Sequence, residues 1–224
     1  MGYQSNHVFT KEQLRYLKIK RFLDIIFAII LLIPAIILIF IFGIWIRLES
    51  KGNIVFKQNR TGYHQKIFTM YKLRSMKIET RDKNGKALTD QERMTLSGKI
   101  VRKTSIDELP QLLNILKGEM SFIGPRPFLI NDLGTYKEEQ LIRFEVLPGI
   151  TSWAAIHGRN NQTIQDKYNH EIYYVKNISF KLDMYIFFKT IALVFSQKNI
   201  DDHTNDGRIA AEIIESIEEI KNKN

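Results

Sequence analysis

The chain has no cysteine. Disulfides, thiolate metal sites, CxxC redox chemistry and a cysteine nucleophile are excluded with it. Acidic residues are also in short supply. Against 33 Lys and Arg stand 24 Asp and Glu, a net charge of +9. GxGxxG, GxxxxGK[ST], HExxH and GxSxG are all missing, so none of the common dinucleotide, P-loop, zincin or serine-hydrolase fingerprints is present. His7, His64, His157, His170 and His203 show no ligand spacing, which argues against zinc. No repeat is visible. The 44% hydrophobic and 25% charged content over 224 residues excludes wholesale disorder and fits one domain with a small appendage.

What is present is uneven. Ile25 to Ile46 is 22 residues without a charge, amide or hydroxyl. About 20 such residues span a bilayer core, and the run lacks the polar stripe of a soluble core helix. It is too long for a signal-peptide core, and no small-residue cleavage site follows. Pro34 should kink or break a helix there. At about 1.5 Å per residue, Ile25–Ile33 reaches ~13 Å and Ala35–Ile46 ~18 Å. Neither half alone crosses ~30 Å. Lys11, Arg15, Lys18, Lys20 and Arg21 precede the run; Arg47, Lys51, Lys57 and Arg60 follow it. The positive-inside tendency keeps both flanks on the cytoplasmic face. A re-entrant hairpin broken at Pro34 satisfies that. A Pro-kinked single span, the alternative, puts one flank outside.

A basic chain is also compatible with nucleic-acid binding. Here the charge gathers around the apolar run, as attraction to anionic lipid headgroups requires. There is no zinc-finger, RRM or KH pattern, so nucleic acid is not an expected partner.

The remaining pattern predicts an α+β fold, mostly helical with a small β element. Residues 9–21 read as a basic amphipathic helix lying on the membrane interface. Asn53–Phe56 and Lys66–Tyr71 read as strands flanking Arg60-Thr-Gly62. Arg81–Arg93 is a polar insert around Asn84-Gly85. Asp107–Lys117 is a helix, Phe122–Pro127 a tight loop, Leu133–Val146 helical and Trp153–Asn161 a turn-rich loop. Lys181–Phe195 is a helix whose aromatic face suits either the core or the membrane interface. Asp201–Gly207 is a linker, and Ile209–Ile220 carries a helical apolar stripe fit to dock on a partner, a second copy or the body. The domain plan is therefore 1–21 interfacial helix, 22–47 membrane hairpin, 48–200 catalytic domain and 201–224 linker with tail helix.

Chemistry has one leading location, Ser105-Ile-Asp107-Glu108-Leu-Pro110-Gln111. Ser105 or Asp107 could simply cap a helix, with Pro110 tolerated near its start. The same geometry would hold a carboxylate ionised at the helix end and place phosphate beside it. Arg102 and Lys103 lie just upstream. An ionised Asp beside a phosphate site can attack phosphorus covalently. A second location is Gly124-Pro125-Arg126-Pro127, either a surface turn or an arginine fixed as a phosphate clamp. Tyr71-Lys72-Leu73-Arg74 offers cations to the same phosphates, or a solvated strand face. Gly158-Arg159-Asn160 is a fourth cluster.

In order along residues 18–200, these pieces resemble one family. They are Lys20-Arg21-Phe-Leu-Asp24, the apolar run with Pro34, Phe56-Lys-Gln58-Asn-Arg60-Thr-Gly62, Tyr71-Lys-Leu-Arg74-Ser-Met76, Ser105-Ile-Asp-Glu-Leu-Pro-Gln-Leu-Leu-Asn114, Gly118-Glu-Met-Ser121, Gly124-Pro-Arg-Pro127, Pro148-Gly-Ile-Thr151, Trp153, Gly158-Arg-Asn160 and Asp183. The family is the bacterial sugar transferases, or monotopic polyprenol-phosphate phosphoglycosyl transferases. The resemblance implies transfer of sugar-1-phosphate from a UDP-sugar, usually N-acetylated, to undecaprenyl phosphate with release of UMP. That reaction starts a capsule or other surface glycan at the bacterial inner membrane, with the catalytic domain on the cytoplasmic face. By carry-over, Asp107 is the nucleophile, Glu108 assists it, and Mg²⁺ bridges these carboxylates and the diphosphate. Arg126 between Pro125 and Pro127 would hold phosphate. Lys72, Arg102 and Asp183 match other positions expected to line the site; Arg74, from its charge, joins Lys72 and Arg102 as a phosphate-binding candidate, and Arg159 and Asn160 are further site candidates.

The resemblance departs in one loop. The family commonly has Thr-Gly-Trp-Ala-Gln before Gly-Arg-Asn, where this chain has Thr151-Ser-Trp-Ala-Ala155-Ile-His157-Gly. Donor identity is therefore open; an N-acetylated 6-deoxyhexose is one guess. The chain reads as a minimal catalytic form, and its tail stripe could support a homodimer. The competing functions are a non-catalytic membrane adaptor and a nucleotide-sugar hydrolase.

Overall fold

The computed structural model describes residues 7–82, 84–129, 137–158 and 162–196. Its first element, α1, runs from Lys11 to Glu49 over 39 residues with Pro34 inside. Thr10 starts it with a capping box. The Thr10 hydroxyl accepts the Gln13 N–H at 3.2 Å, and the Gln13 side chain accepts the Thr10 N–H at 3.0 Å. The elements therefore do not divide as expected. A separate interfacial helix over 1–21 and a break at Pro34 give way to one helix through both boundaries. Proline removes one donor and crowds one turn, and the hydrogen-bonded pattern resumes on either side of it.

Both ends of α1 rest on the same folded body. Near its start, Gln13 donates to the Lys176 carbonyl, Tyr16 and Lys20 reach Asp183, and Arg21 donates to the Ile115 and Leu116 carbonyls. Asp24 accepts the Phe122 N–H. Near its finish, Arg74 donates to the Ile46 and Ser50 carbonyls, and Glu49 accepts the N–H groups of Leu96 and Ser97. Ala28 and Ala35 are buried against Phe68, Met70, Leu112, Ile115 and Met120. The outer face is bare: Ile33 and Phe40 are 71% and 67% exposed.

After α1 comes an antiparallel hairpin, β1 (Val55–Thr61) and β2 (Ile67–Leu73), registered Phe56 to Lys72 and Arg60 to Phe68. The expected turn at Arg60-Thr-Gly62 shifts to 62–66, and Arg60 and Thr61 remain in the strand. The expected insert contains α2 (Asp90–Arg93), and α3 (Leu96–Lys103) follows it. A 3₁₀ segment, Ile106–Gln111, leads into α4 (Leu112–Lys117). The expected single helix over 107–117 splits because Pro110 supplies no donor.

Two three-residue strands, β3 (Ser121–Ile123) and β4 (Gly149–Thr151), pair in parallel. Both flanking glycines are required by close approach. A Cβ on Gly124 would lie 2.3 Å from the Leu147 carbonyl oxygen, and one on Gly149 would lie 2.1 Å from the Gly124 nitrogen. A 3₁₀ segment over Glu138–Glu145 takes most of the predicted helix at 133–146. Then come α5 (Trp153–Ile156), α6 (Ile164–Lys176) and α7 (Phe180–Ser196). A second core forms around Ile123, Ile142, Val146, Tyr174, Val175, Ile178 and Ile186. On α7, Ile186 is buried while Phe180, Phe187 and Phe188 are exposed. The described fold is mostly helical with two small sheets, in line with the predicted class. The linker and tail helix predicted over 201–224 lie outside the described residues.

Candidate active site

Four predicted residues converge beside the 3₁₀ segment. Asp107 is buried, and Glu108 is bridged by Lys72 at 2.9 Å. Lys72 and Arg102 both lie close enough to Asp107 to stabilise its charge. Three separate elements supply this cluster, and specific contacts bring them together. Asn114 on α4 donates to the Thr69 carbonyl at 2.7 Å and accepts the Tyr71 N–H at 3.2 Å. Its amide thus stands in for a third strand on the free edge of β2 and fixes the carboxylates beside Lys72. Arg102 is held through its Nε, which donates to the Ser75 hydroxyl at 2.7 Å. That contact needs α3 to lie against the chain after β2, and Gly98 allows it: a Cβ there would sit 1.9 Å from the Ser75 carbonyl oxygen.

The helix-cap reading of Ser105 is not what the fold uses. Ser105 occupies the position before the 3₁₀ segment, but its backbone is left-handed (φ 57°) and its hydroxyl makes no capping bond. The Thr104 hydroxyl instead closes α3 by donating to the Ile100 carbonyl at 2.8 Å. The segment that follows is one short 3₁₀ stretch, so a helix end does little for Asp107. Burial raises the Asp107 carboxyl, and the neighbouring Glu108 charge raises it further. Lys72 and Arg102 oppose both, leaving it at about 6. This corrects the expectation of a carboxylate held ionised by a helix end. At neutral pH Asp107 is still mostly ionised, because the two cations limit the rise that burial and Glu108 cause and keep it below 7.

The Pro-Arg-Pro loop is held elsewhere on the hairpin. Arg60 donates to the Pro127 carbonyl at 3.4 Å, and the Thr61 N–H donates to the Phe128 carbonyl at 3.2 Å. Phe68 and Lys72 are four residues apart on β2, about 13 Å at strand rise. The loop and the carboxylate pair thus lie towards opposite ends of β2. Pro125 and Pro127 are buried and Arg126 is exposed between them.

Two predicted residues are placed away from the carboxylates. The Arg74 guanidinium donates to the Lys51 and Ser50 carbonyls, each at 2.6 Å, and so closes the C-terminus of α1. Asp183 is buried against α1, accepting from Lys20 at 2.7 Å, Tyr16 at 2.5 Å and Tyr174 at 2.8 Å. Both anchor the long helix. Arg159 and Asn160 lie outside the described residues. Sequence reasoning missed the roles of Asn114 and Ser75, although both stand inside motifs it quoted. It also missed a buried pair, Arg143 and Glu171, for which no local pattern gave a signal.

Among the described residues no cluster of three or more His, Cys, Asp or Glu side chains could hold a metal. Two adjacent carboxylates remain. That donor set fits Mg²⁺, which commonly takes one or two protein carboxylates and completes its shell with substrate phosphates and water.

Comparison with known proteins gives the family. The family described as bacterial sugar transferase matches residues 15–197, and the chain belongs to that family. It is 45% identical over 183 residues to "Uncharacterized sugar transferase EpsL" of Bacillus subtilis, covering 81% of this chain and 90% of that one. It is 39% identical over 188 residues to a UDP-N-acetylgalactosamine-undecaprenyl-phosphate N-acetylgalactosaminephosphotransferase of Aeromonas hydrophila. A UDP-glucose:undecaprenyl-phosphate glucose-1-phosphate transferase of Escherichia coli is 33% identical over 189 residues. The matches cover 81% and 80% of this chain but only 44% and 41% of those two relatives; the chain spans less than half their length.

Proposed function

We propose that this chain transfers sugar-1-phosphate from a UDP-sugar to undecaprenyl phosphate, releases UMP, and so begins a capsule or other surface glycan. One observation carries the reading: a buried carboxylate, beside a second one and facing two cations, on a body tied to a long, lipid-compatible helix. In the first step an ionised Asp107 oxygen attacks the phosphorus that bears the sugar. The bond from that phosphorus to the UMP oxygen breaks, and UMP leaves with the electron pair. In the second step an oxygen of the lipid phosphate attacks the same phosphorus and displaces Asp107. Lys72 and Arg102 offset the charge that gathers as anion approaches anion. Lys72 also holds Glu108 beside the nucleophile, where it can take or return a proton. Arg126 binds a substrate phosphate from the exposed loop.

Asp107 and Glu108 would hold Mg²⁺. When bound, the ion would polarise phosphoryl oxygens and stabilise the departing nucleotide.

The apolar outer face of α1 and the exposed aromatics of α7 support seating in the inner membrane. Basic flanks on both sides of the apolar run of α1 support keeping both ends of the helix, and the body, on the cytoplasmic face. The names of the longer relatives support the UDP-sugar and the undecaprenyl acceptor.

A UMP-release screen across UDP-sugars, with and without undecaprenyl phosphate, tests the function. UMP release limited to about one equivalent per enzyme without acceptor and continuing only with it, and a sugar-phosphate mass on Asp107 in enzyme quenched without acceptor, are the expected results. Asp107→Asn should lower turnover by on the order of 10³-fold or more. Release that ignores the lipid would establish a hydrolase, and no release with any donor would favour the adaptor.

A further inference from the structure

Arg143 and Glu171 form an ion pair at 2.5 Å whose side chains are only 3% and 2% exposed. What they touch is the main chain of one residue. Glu171 Oε1 accepts the Arg126 N–H at 3.0 Å, and Arg143 Nη2 donates to the Arg126 carbonyl. Both polar backbone groups of the loop arginine are thus taken by one buried pair.

The loop gives that grip unusual leverage. Pro125 and Pro127 have no N–H, so the Arg126 N–H is the one backbone donor between Gly124 and Phe128. The flanking carbonyls are held too: Pro125 accepts the Gly149 N–H at 2.9 Å, and Pro127 accepts from Arg60. Arg143 is fixed in turn by Phe128, whose ring centre lies 4.0 Å from its guanidinium carbon. With its backbone fastened on both sides, Arg126 presents an exposed side chain whose guanidinium makes no hydrogen bond among the described residues.

Stability alone is a poor reason for such a pair. Desolvating two charges costs about as much as their attraction returns, and an apolar replacement of similar volume is often neutral or stabilising. We propose that Arg143 and Glu171 are positioning residues, which aim the Arg126 guanidinium at substrate phosphate by clamping its backbone. The inference rests on the reading of Arg126 as a phosphate-binding residue.

The test is a double-mutant cycle on full-length enzyme in detergent, with undecaprenyl phosphate and the UDP-sugar that releases most UMP in the screen. Arg143→Lys and Glu171→Gln keep size while loosening the grip. Each should lower kcat/KM by about 10- to 100-fold, as misplacement of a binding group does. In an Arg126→Ala background the same changes should alter kcat/KM by less than about two-fold, because coupled residues are non-additive. Arg143→Met combined with Glu171→Leu removes the charges and keeps the volume. It should fold, with a Tm near the parent, and show the same kinetic loss.

Equal losses with and without Arg126 would overturn the clamp. So would parental kinetics in a folded Arg143→Lys enzyme, or failure of all three variants to fold, which would mark the pair as purely structural. If Arg126→Ala itself left the kinetics at parental values, the phosphate reading of Arg126 would fall, and the clamp would lose its purpose.

Discussion

Asp107 is the residue where function and stability pull against each other. The proposed attack on phosphorus requires it to be ionised, yet burial and Glu108 hold its carboxyl up at about 6. Activity should therefore be lost as pH falls through about 6, roughly tenfold per unit once below it. The pH profile of kcat/KM for UMP release reads this directly, and Glu108→Gln should move the inflection to lower pH by removing the like charge. Stability runs the other way. A carboxyl raised in the folded state binds its proton there more tightly than in the unfolded chain. Between about pH 4 and pH 6 the folded protein thus holds the extra proton, and stability falls as pH rises through that window. Asp107→Asn should lack this loss. At pH 7.5 its Tm should exceed the parent's by at least about 2 °C, with the gap closing near pH 4. The motif exposed this residue, but its acidity was not legible. A string of letters shows Glu108 next door, whereas burial and the approach of Lys72 and Arg102 come from three distant elements.

At the scale of elements, Asn114 decides how α4 meets β2. Replacing it with Ala would strand the Thr69 carbonyl and the Tyr71 N–H. Each stranded buried group costs about 1–3 kcal/mol, so a loss of about 2–4 kcal/mol is expected. Denaturation in detergent would measure it, with a parallel fall in turnover as Glu108 leaves Lys72. Gly98→Ala should be nearly as harmful, because its Cβ would collide with rigid backbone at Ser75 and push Arg102 away. Periodicity located α7 and most of α1 well, since long apolar patterns are strong local signals. It lost α3 inside charged sequence and read 107–117 as one helix where the fold splits it, because a proline's local effect depends on which donors the neighbours can replace. Arg74 was assigned to phosphate for its charge alone. In the fold the carbonyls at the end of α1, invisible in sequence, lie nearer.

The whole molecule is organised around a helix that touches its body at both ends. The absence of cysteine makes the topology directly measurable. Single cysteines at Lys11 and Asn53, both exposed, should react with a membrane-impermeant maleimide only after the cytoplasmic face is opened. Labelling of either site in intact cells would mean that α1 crosses the bilayer. The charge pattern sets the expectation that this labelling tests, both ends of α1 on one face of the membrane, while the body holds the helix by contacts of its own. The contacts that secure it, from Gln13 to Lys176 and from Glu49 to α3, join residues too far apart in sequence for any local pattern to pair.

The reciprocal latch at the end of α1 has a mechanical consequence. Arg74 grips the last carbonyls of the helix, while Glu49 grips the first amides of α3, the element that carries Arg102. Seated in a bilayer as proposed, the helix would gear its height in the lipid to the height of Arg102 beside Asp107. Thinner or thicker bilayers should tune the enzyme's turnover through that gearing, in step with how deeply the acceptor's headgroup sits.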